Sequence, residues 1–232
     1  MKLALMQPYL FPYIGYFKLV AGVDKFVFYD DVNYIKNGWI NRNRILAGTE
    51  VRYITVPLAG ASSSVKINEV IVQPRDLWLR KLLESVRHSY AKAPHFARIN
   101  ELIADVLGSA HDQISALASL SVIEVAGYLA LDTNFVRTSA TYGNAHLHGA
   151  TRVLDICAKE RTGTYLNLPG GRALYQAEDF HAAGMELEFV DPDLRPYPQF
   201  GSPFEPGLSI LDALMFNEAE QVKDMLIARV MA

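Results

Sequence analysis

Cysteine is nearly absent: Cys157 is the one thiol among 232 residues, which excludes an intramolecular disulfide. Its place in the apolar helical pattern of RVLDICAKE reads as a small buried hydrophobe and not as a nucleophile. Charge of one sign is lacking too. With 22 basic against 25 acidic residues and a formal net charge of −3, nothing draws the whole chain toward nucleic acid or anionic membrane. An anionic ligand must therefore be met by a local cluster of donors. No apolar run is long enough to cross a bilayer, and the opening MKLALMQPY breaks at Gln7-Pro8 after four apolar residues, too early for a secretory signal. The expectation is a cytoplasmic protein with no membrane insertion. The patterns G-x-x-x-x-G-K-[ST], G-x-S-x-G and H-E-x-x-H are missing, which disfavours P-loop kinases, nucleophile-elbow hydrolases and zincin proteases.

What is present is apolar material for a well-buried core, 50% of the residues, in alternating strand-like and helix-like runs without repeats or low-complexity tracts. LALM reads as a short buried strand, IGYFKLVAGV as a helix and KFVFYDD as a second buried strand, the signature of a parallel βαβ unit. From Asp76 onward three helical patterns follow, a helical middle segment at about 76–131. NFVRTSA, TYLNLPGG and MELEFVD return as strands, and LSILDALMFNEAEQVKDMLIARVMA reads as a terminal helical segment. The expected fold is a Rossmann-like, HUP/nucleotidyltransferase-like parallel sheet with a helical middle region, in a single α/β domain spanning 1–232.

Candidate chemistry begins at the first turn. FPYIGYFKLV puts proline, Tyr13, Gly15 and Tyr16 between the first strand and its helix, where unpaired backbone N–H groups favour an anion. The turn resembles the HIGH turn of nucleotidyltransferases and class I tRNA synthetases, with tyrosines where histidines would stand and Gly15 where a nucleotide would approach closely. Tyrosine cannot become cationic as histidine can, and no KMSKS-like loop accompanies it. Gln7 precedes the turn.

DDVNYIKNGWINRNRI packs Asp30, Asp31, Lys36, Trp39, Asn41, Arg42, Asn43 and Arg44 into one short stretch. Adjacent aspartates ending a buried strand suit a metal, a hydroxyl or a cationic partner, because a buried unpaired carboxylate is costly. If the segment is extended, Arg42 and Arg44 share one face and could grip a phosphate or carboxylate, with Trp39 as a stacking platform. In SYAKAPHF and the helix before it, His88 is the preferred acid–base candidate over Lys92 and His95. The pair His146 and His148 has a spacing compatible with a metal if a carboxylate such as Asp30 or Asp31 were the third ligand, but such a pair is usually a surface feature and no metal site is assigned. In RPYPQFGSPFEPG four prolines fix a loop in which Tyr197 and Gln199 are candidates for a pocket wall, whereas Gly170-Gly171 of TYLNLPGG reads as an ordinary turn.

MQPYLFPYIGYFKLV, VDKFVFYDDVNYIKNGWINRNRIL, SYAKAPHF and PYPQFGSPFEPGLSILDALMFN together resemble the WbqC-like protein family of bacteria. The resemblance implies a role in O-antigen, surface-polysaccharide or small-molecule biosynthesis. Combined with the residues, the expectation is a biosynthetic transferase acting on a nucleotide-activated, phosphorylated or amino-sugar/amino-acid substrate, with Mg²⁺ and a nucleotide as candidate cofactors. The catalytic candidates are Asp30, Asp31 and His88. The alternative is a non-catalytic nucleotide- or sugar-binding protein that has kept the fold. A nucleic-acid role through WINRNRI fits poorly with the acidic balance and the lack of a basic stripe.

Overall fold

The computed structural model describes residues 1–201, 203–227 and 230–231. Strands are β1 (Lys2–Met6), β2 (Lys25–Phe28), β3 (Arg42–Ala47), β4 (Glu50–Thr55), β5 (Leu58–Ala59), β6 (Ile71–Val72), β7 (Asn134–Val136), β8 (Thr164–Asn167), β9 (Glu186–Val190) and β10 (Val230–Met231). Helices are α1 (Ile14–Ala21), α2 (Leu79–Tyr90), α3 (Phe96–Gly108), α4 (Ile114–Tyr128), α5 (Gly149–Lys159), α6 (Ala177–Ala182), α7 (Ile210–Phe216) and α8 (Ala219–Met225).

Five strands form a parallel sheet in the order β9-β8-β1-β2-β7, with β10 antiparallel on the β9 edge. In chain order among the parallel strands this is 3-2-1-4-5, the Rossmann arrangement, and the direction of winding reverses between β1 and β8. The expected parallel α/β fold is thus the observed one. Strand alternation explains why helices cover both faces. Ala4, Phe26, Phe28 and Leu166 point into one core with α1 and the middle helices, while Leu3, Leu5, Val27 and Tyr165 point into a second core with α5 and α6. Cys157 belongs to the second core, where burial pushes its thiol up to about 12.

Several local readings change. NRNRIL and VRYIT pair with each other as the antiparallel hairpin β3-β4, outside the main sheet, turning at Gly48 with φ +66°. INEVIVQP, which by its sequence reads as another strand or sheet edge, is a 3₁₀ turn at Ile67–Glu69 followed by the two-residue β6. The helix expected from Asp76 begins at Leu79, after a 3₁₀ turn at Arg75–Leu77. At the carboxyl end the helical reading holds for α7 and α8 but not for Val230–Met231, which pair with β9. Ser202, Ala228, Arg229 and Ala232 lie outside the described residues.

Candidate functional site

Ligands of open parallel sheets gather beyond the carboxyl ends of the strands where the winding reverses. A cleft of about 710 Å³ lies at that place, lined by Met6 and Gln7 at the end of β1, by Asn167 through Gly171 at the end of β8, and by Tyr29 after β2. Trp39 and Arg44 of the β3 approach form another wall, and Pro192 and Gly207 bring in the proline-rich loop. Among the described lining residues Arg44 is the charged side chain, and no Asp, Glu, His, Lys or Cys is present.

The opening turn is built to hold this wall in place. Phe11 adopts φ +40°, a left-handed conformation that is strained for an aromatic residue before proline. Surrounding groups over-determine it: its N–H donates to Ser121 Oγ (2.9 Å), and its carbonyl accepts from Asn43 Nδ2 (3.0 Å) and Ser209 Oγ (2.7 Å). Asn43 also donates to Leu10 O (3.0 Å), and Leu10 N–H donates to Trp39 O (3.0 Å). Strand β3 and the opening turn are therefore one unit.

Gly15 has a different use from the one expected. A Cβ there would stand 2.4 Å from Tyr13 Cε2, so the space is filled by the Tyr13 ring and not left to a ligand. Tyr13 lines the cleft, whereas Tyr16 is fully buried and donates to Gln7 O (2.9 Å), tying α1 to the end of β1. Gln7 itself lines the cleft, and its Oε1 is buried without a hydrogen-bond partner.

Arg42 and Arg44 do share one face of β3, but only Arg44 reaches the cleft. Arg42 lies over the Tyr53 ring at 4.6 Å and donates to the carbonyls of Gly38 (3.2 Å) and Asn37. Tyr53 stacks on Trp39 with centroids 6.4 Å apart, and Arg44 lies 5.9 Å from the Trp39 ring. Arg44 also donates to Glu205 Oε1 (3.4 Å) and to the carbonyls of Pro206 (3.1 Å) and Gly207 (3.0 Å), while its Nε is buried without a partner. Asn41 is structural, accepting from Tyr34 OH (2.8 Å) and donating to Val56 O (2.8 Å); Lys36 is exposed and outside the cleft.

The paired aspartates are buried and spoken for. Asp30 accepts from Thr138 Oγ1 (2.7 Å) and Ser139 N–H (3.2 Å), and burial holds its carboxyl above the ordinary range. Asp31 accepts from Ser139 Oγ and from Arg152 Nη2 at 2.5 Å, a pair with side chains 5% and 3% exposed. Neither carboxylate lines the cleft. His88 is exposed on α2 and also lies outside it, as do His146 and His148. Among the described residues no three His, Cys, Asp or Glu side chains converge as a metal cage, and the cleft lining holds no carboxylate.

Tyr197 and Gln199 anchor the proline-rich loop from behind. Gln199 Nε2 donates to Asp212 Oδ1 (2.8 Å) and to Glu205 O (3.0 Å), Tyr90 OH donates to Asp212 Oδ2 (2.6 Å), and the Tyr197 phenol lies near the same carboxylate. Asp212 is fully buried and its carboxyl is pushed up by that burial. Three segments distant in sequence thus meet on one carboxylate. The residues after β8 are where sequence reasoning fell short. Asn167 through Gly171 form the cleft floor opposite the opening turn, and a Cβ on Gly171 would stand 2.6 Å from Asn167 Nδ2. The signal available was a Gly-Gly pair directly after a buried strand.

Fold and cleft define a Rossmann-like α/β protein with a preformed pocket at its topological switch point. The chain matches the WbqC-like protein family over residues 7–224 and belongs to it. It is 31% identical over 229 residues to the uncharacterized protein Rv1507c of Mycobacterium tuberculosis (strain ATCC 25618 / H37Rv), a match covering 97% of each chain. No solved structure matches. No helix among the described residues is long and apolar enough to cross a membrane.

Proposed function

We propose that this protein is a biosynthetic transferase whose switch-point cleft takes a nucleotide-activated or phosphorylated small molecule, in surface-polysaccharide (O-antigen) or small-molecule biosynthesis. The observation that carries the reading is the position of the cleft beyond β1 and β8, with one guanidinium among aromatic faces. Trp39 offers apolar surface to a base or sugar ring, Arg44 meets the anionic group, and Gln7 and Asn167 supply amide contacts. Catalysis here rests on orientation and on fixed donors, because the lining supplies hydrogen-bond donors in place of a carboxylate or imidazole base. In this reading Asp30 and Asp31 hold the site together from outside it.

One observation favours a second reading. The titratable lining groups other than Arg44 are tyrosines, and burial pushes the phenols of Tyr9, Tyr13, Tyr29 and Tyr175 upward, so they stay protonated near neutral pH. A non-catalytic binding protein would have this composition. A thermal-shift screen against nucleotides, nucleotide sugars and amino acids, with and without Mg²⁺, tests the cleft in both readings. A nucleotide-dependent rise in Tm that disappears in Arg44→Ala supports it, and turnover of the hit with an acceptor separates enzyme from binder. Absence of any shift overturns both.

A further inference from the structure

Arg42 is the arginine of the Asn-Arg run that stops short of the cleft, yet its side chain is committed. The guanidinium lies 4.6 Å from the centre of the Tyr53 ring and donates through Nε to Gly38 O (3.2 Å) and through Nη2 to Asn37 O. Those carbonyls belong to the two residues before Trp39, in a turn closed by Gly38 N–H donating to Ile35 O (3.2 Å) and holding Asn37 at φ +60°. A residue kept left-handed in an exposed turn needs neighbours that fix it, and Arg42 is such a neighbour. Tyr53 stands opposite Arg44 in the β3-β4 register and carries the contact onward. Its ring stacks on Trp39 at 6.4 Å between centroids with planes 23° apart, and the Arg44 guanidinium lies 5.9 Å from the centre of the Trp39 ring. Cation, ring, ring and cation thus follow one another in contact. Trp39 and Arg44 line the cleft; Arg42 and Tyr53 do not.

We infer that Arg42 and Tyr53 are positioning residues that brace Trp39, so that a ring of the bound molecule, a base or a sugar, rests against Trp39 while its anionic group meets Arg44. The inference rests on the switch-point cleft being the binding site. Trp39 is 38% exposed, and its backbone is held by Leu10 N–H donating to its carbonyl (3.0 Å), so the position of its indole depends on what flanks it. A flat guanidinium can cover a ring and donate to two carbonyls at once, which a lysine ammonium on a flexible stem cannot reproduce. A wall fixed before the ligand arrives spares the ordering cost of binding. Ile35 and Leu174, exposed apolar side chains of the same lining, favour a flat apolar face over a further charged group. The two arginines of β3 therefore divide the work: Arg44 contacts the ligand and Arg42 acts through Trp39.

Two measurements test this, one without a ligand. The chain has two tryptophans, Trp39 and Trp78, so labelling with 5-fluorotryptophan gives two ¹⁹F NMR resonances, assigned with Trp39→Phe. In Arg42→Lys, which keeps the charge and removes no ring, the Trp39 resonance is expected to shift and broaden while that of the buried Trp78 stays in place. An unmoved Trp39 resonance overturns the brace. For the ligand arm, the probes are uridine and guanosine mono- and diphosphates and glucose 1-phosphate, titrated calorimetrically into wild type, Tyr53→Phe, Tyr53→Ala, Arg42→Lys and Arg44→Ala. Tyr53→Ala and Arg42→Lys are expected to weaken binding about three- to tenfold, whereas Tyr53→Phe, which keeps the ring, binds as wild type does. Weakening of the nucleotides alone identifies a base against Trp39, and weakening of glucose 1-phosphate identifies a sugar ring. A loss in Tyr53→Phe equal to that in Tyr53→Ala assigns the phenol a direct contact and overturns its positioning role. Wild-type affinity in Tyr53→Ala and Arg42→Lys, with affinity lost in Arg44→Ala, overturns the brace and leaves the cleft assignment standing. If no probe binds the wild type, the cleft assignment fails and this inference falls with it.

Discussion

Asn43 sits in an alternating Asn-Arg run that invites a ligand-binding reading, yet its amide is divided between Leu10 O, Phe11 O and the Arg44 N–H. Leu10 O has no other partner among the described residues, so Asn43→Ala leaves a buried acceptor unmet and is expected to cost about 1–3 kcal/mol, read by urea denaturation. Gly15→Ala separates binding from folding. The new Cβ meets the far end of the Tyr13 ring, a side chain that can swing, so a small drop in Tm with a clear loss of ligand affinity is expected from thermal shift. Equal losses in both would mean that the ring is fixed by packing alone. Residue chemistry was legible in the sequence where the signal is local: Pro12, Gly15 and the surrounding rings announce a constrained turn. The fate of Asp31 was not. Its partner Arg152 is 121 residues away, and no local pattern can reveal a partner brought close by strand order.

The elements that shape the site are the β3-β4 hairpin, the opening turn and the proline-rich loop, and each is tied to the others by side chains. Asp212 at the start of α7 holds the loop through Gln199 and reaches α2 through Tyr90. Asp212→Ala strands those donors, and a loss of about 1–3 kcal/mol with faster proteolytic cutting within 192–207 is expected. The pH dependence has a definite sign. Burial raises the Asp212 carboxyl in the folded state above its unfolded value of 3.8, so the folded state takes up its proton first. As pH falls through the raised value toward 3.8, wild type should gain stability relative to Asp212→Asn, measured as ΔTm against pH; a constant gap would contradict it. Helices were legible from their period, and α2, α3 and α4 fall within the expected middle segment. The hairpin was not, because VRYIT carries the same strand pattern whether it joins the main sheet or pairs back on NRNRIL.

At the scale of the whole molecule, the parallel sheet and its winding reversal decide where function can sit, and they explain the most consequential omission. NLPGG looks like any strand-ending turn until β8 is placed beside β1, when it becomes the floor of the cleft. A right-handed crossover rule implies a Rossmann-like sheet from alternating segments, but not which strands become neighbours across an insertion of more than a hundred residues between β2 and β7. The second concavity, between α3 and α4 at Arg98, Glu101 and Tyr128, lies away from the strand ends and provides an internal control.

Hydrogen–deuterium exchange of the full chain, with and without whichever nucleotide or nucleotide sugar raises Tm, tests the central claim most directly, since it reports where a ligand slows backbone opening. Protection at residues 7–16, 39–44 and 167–175 together is the expected result. Protection confined to 98–128, with those three segments unchanged, would contradict the assignment of the switch-point cleft as the binding site.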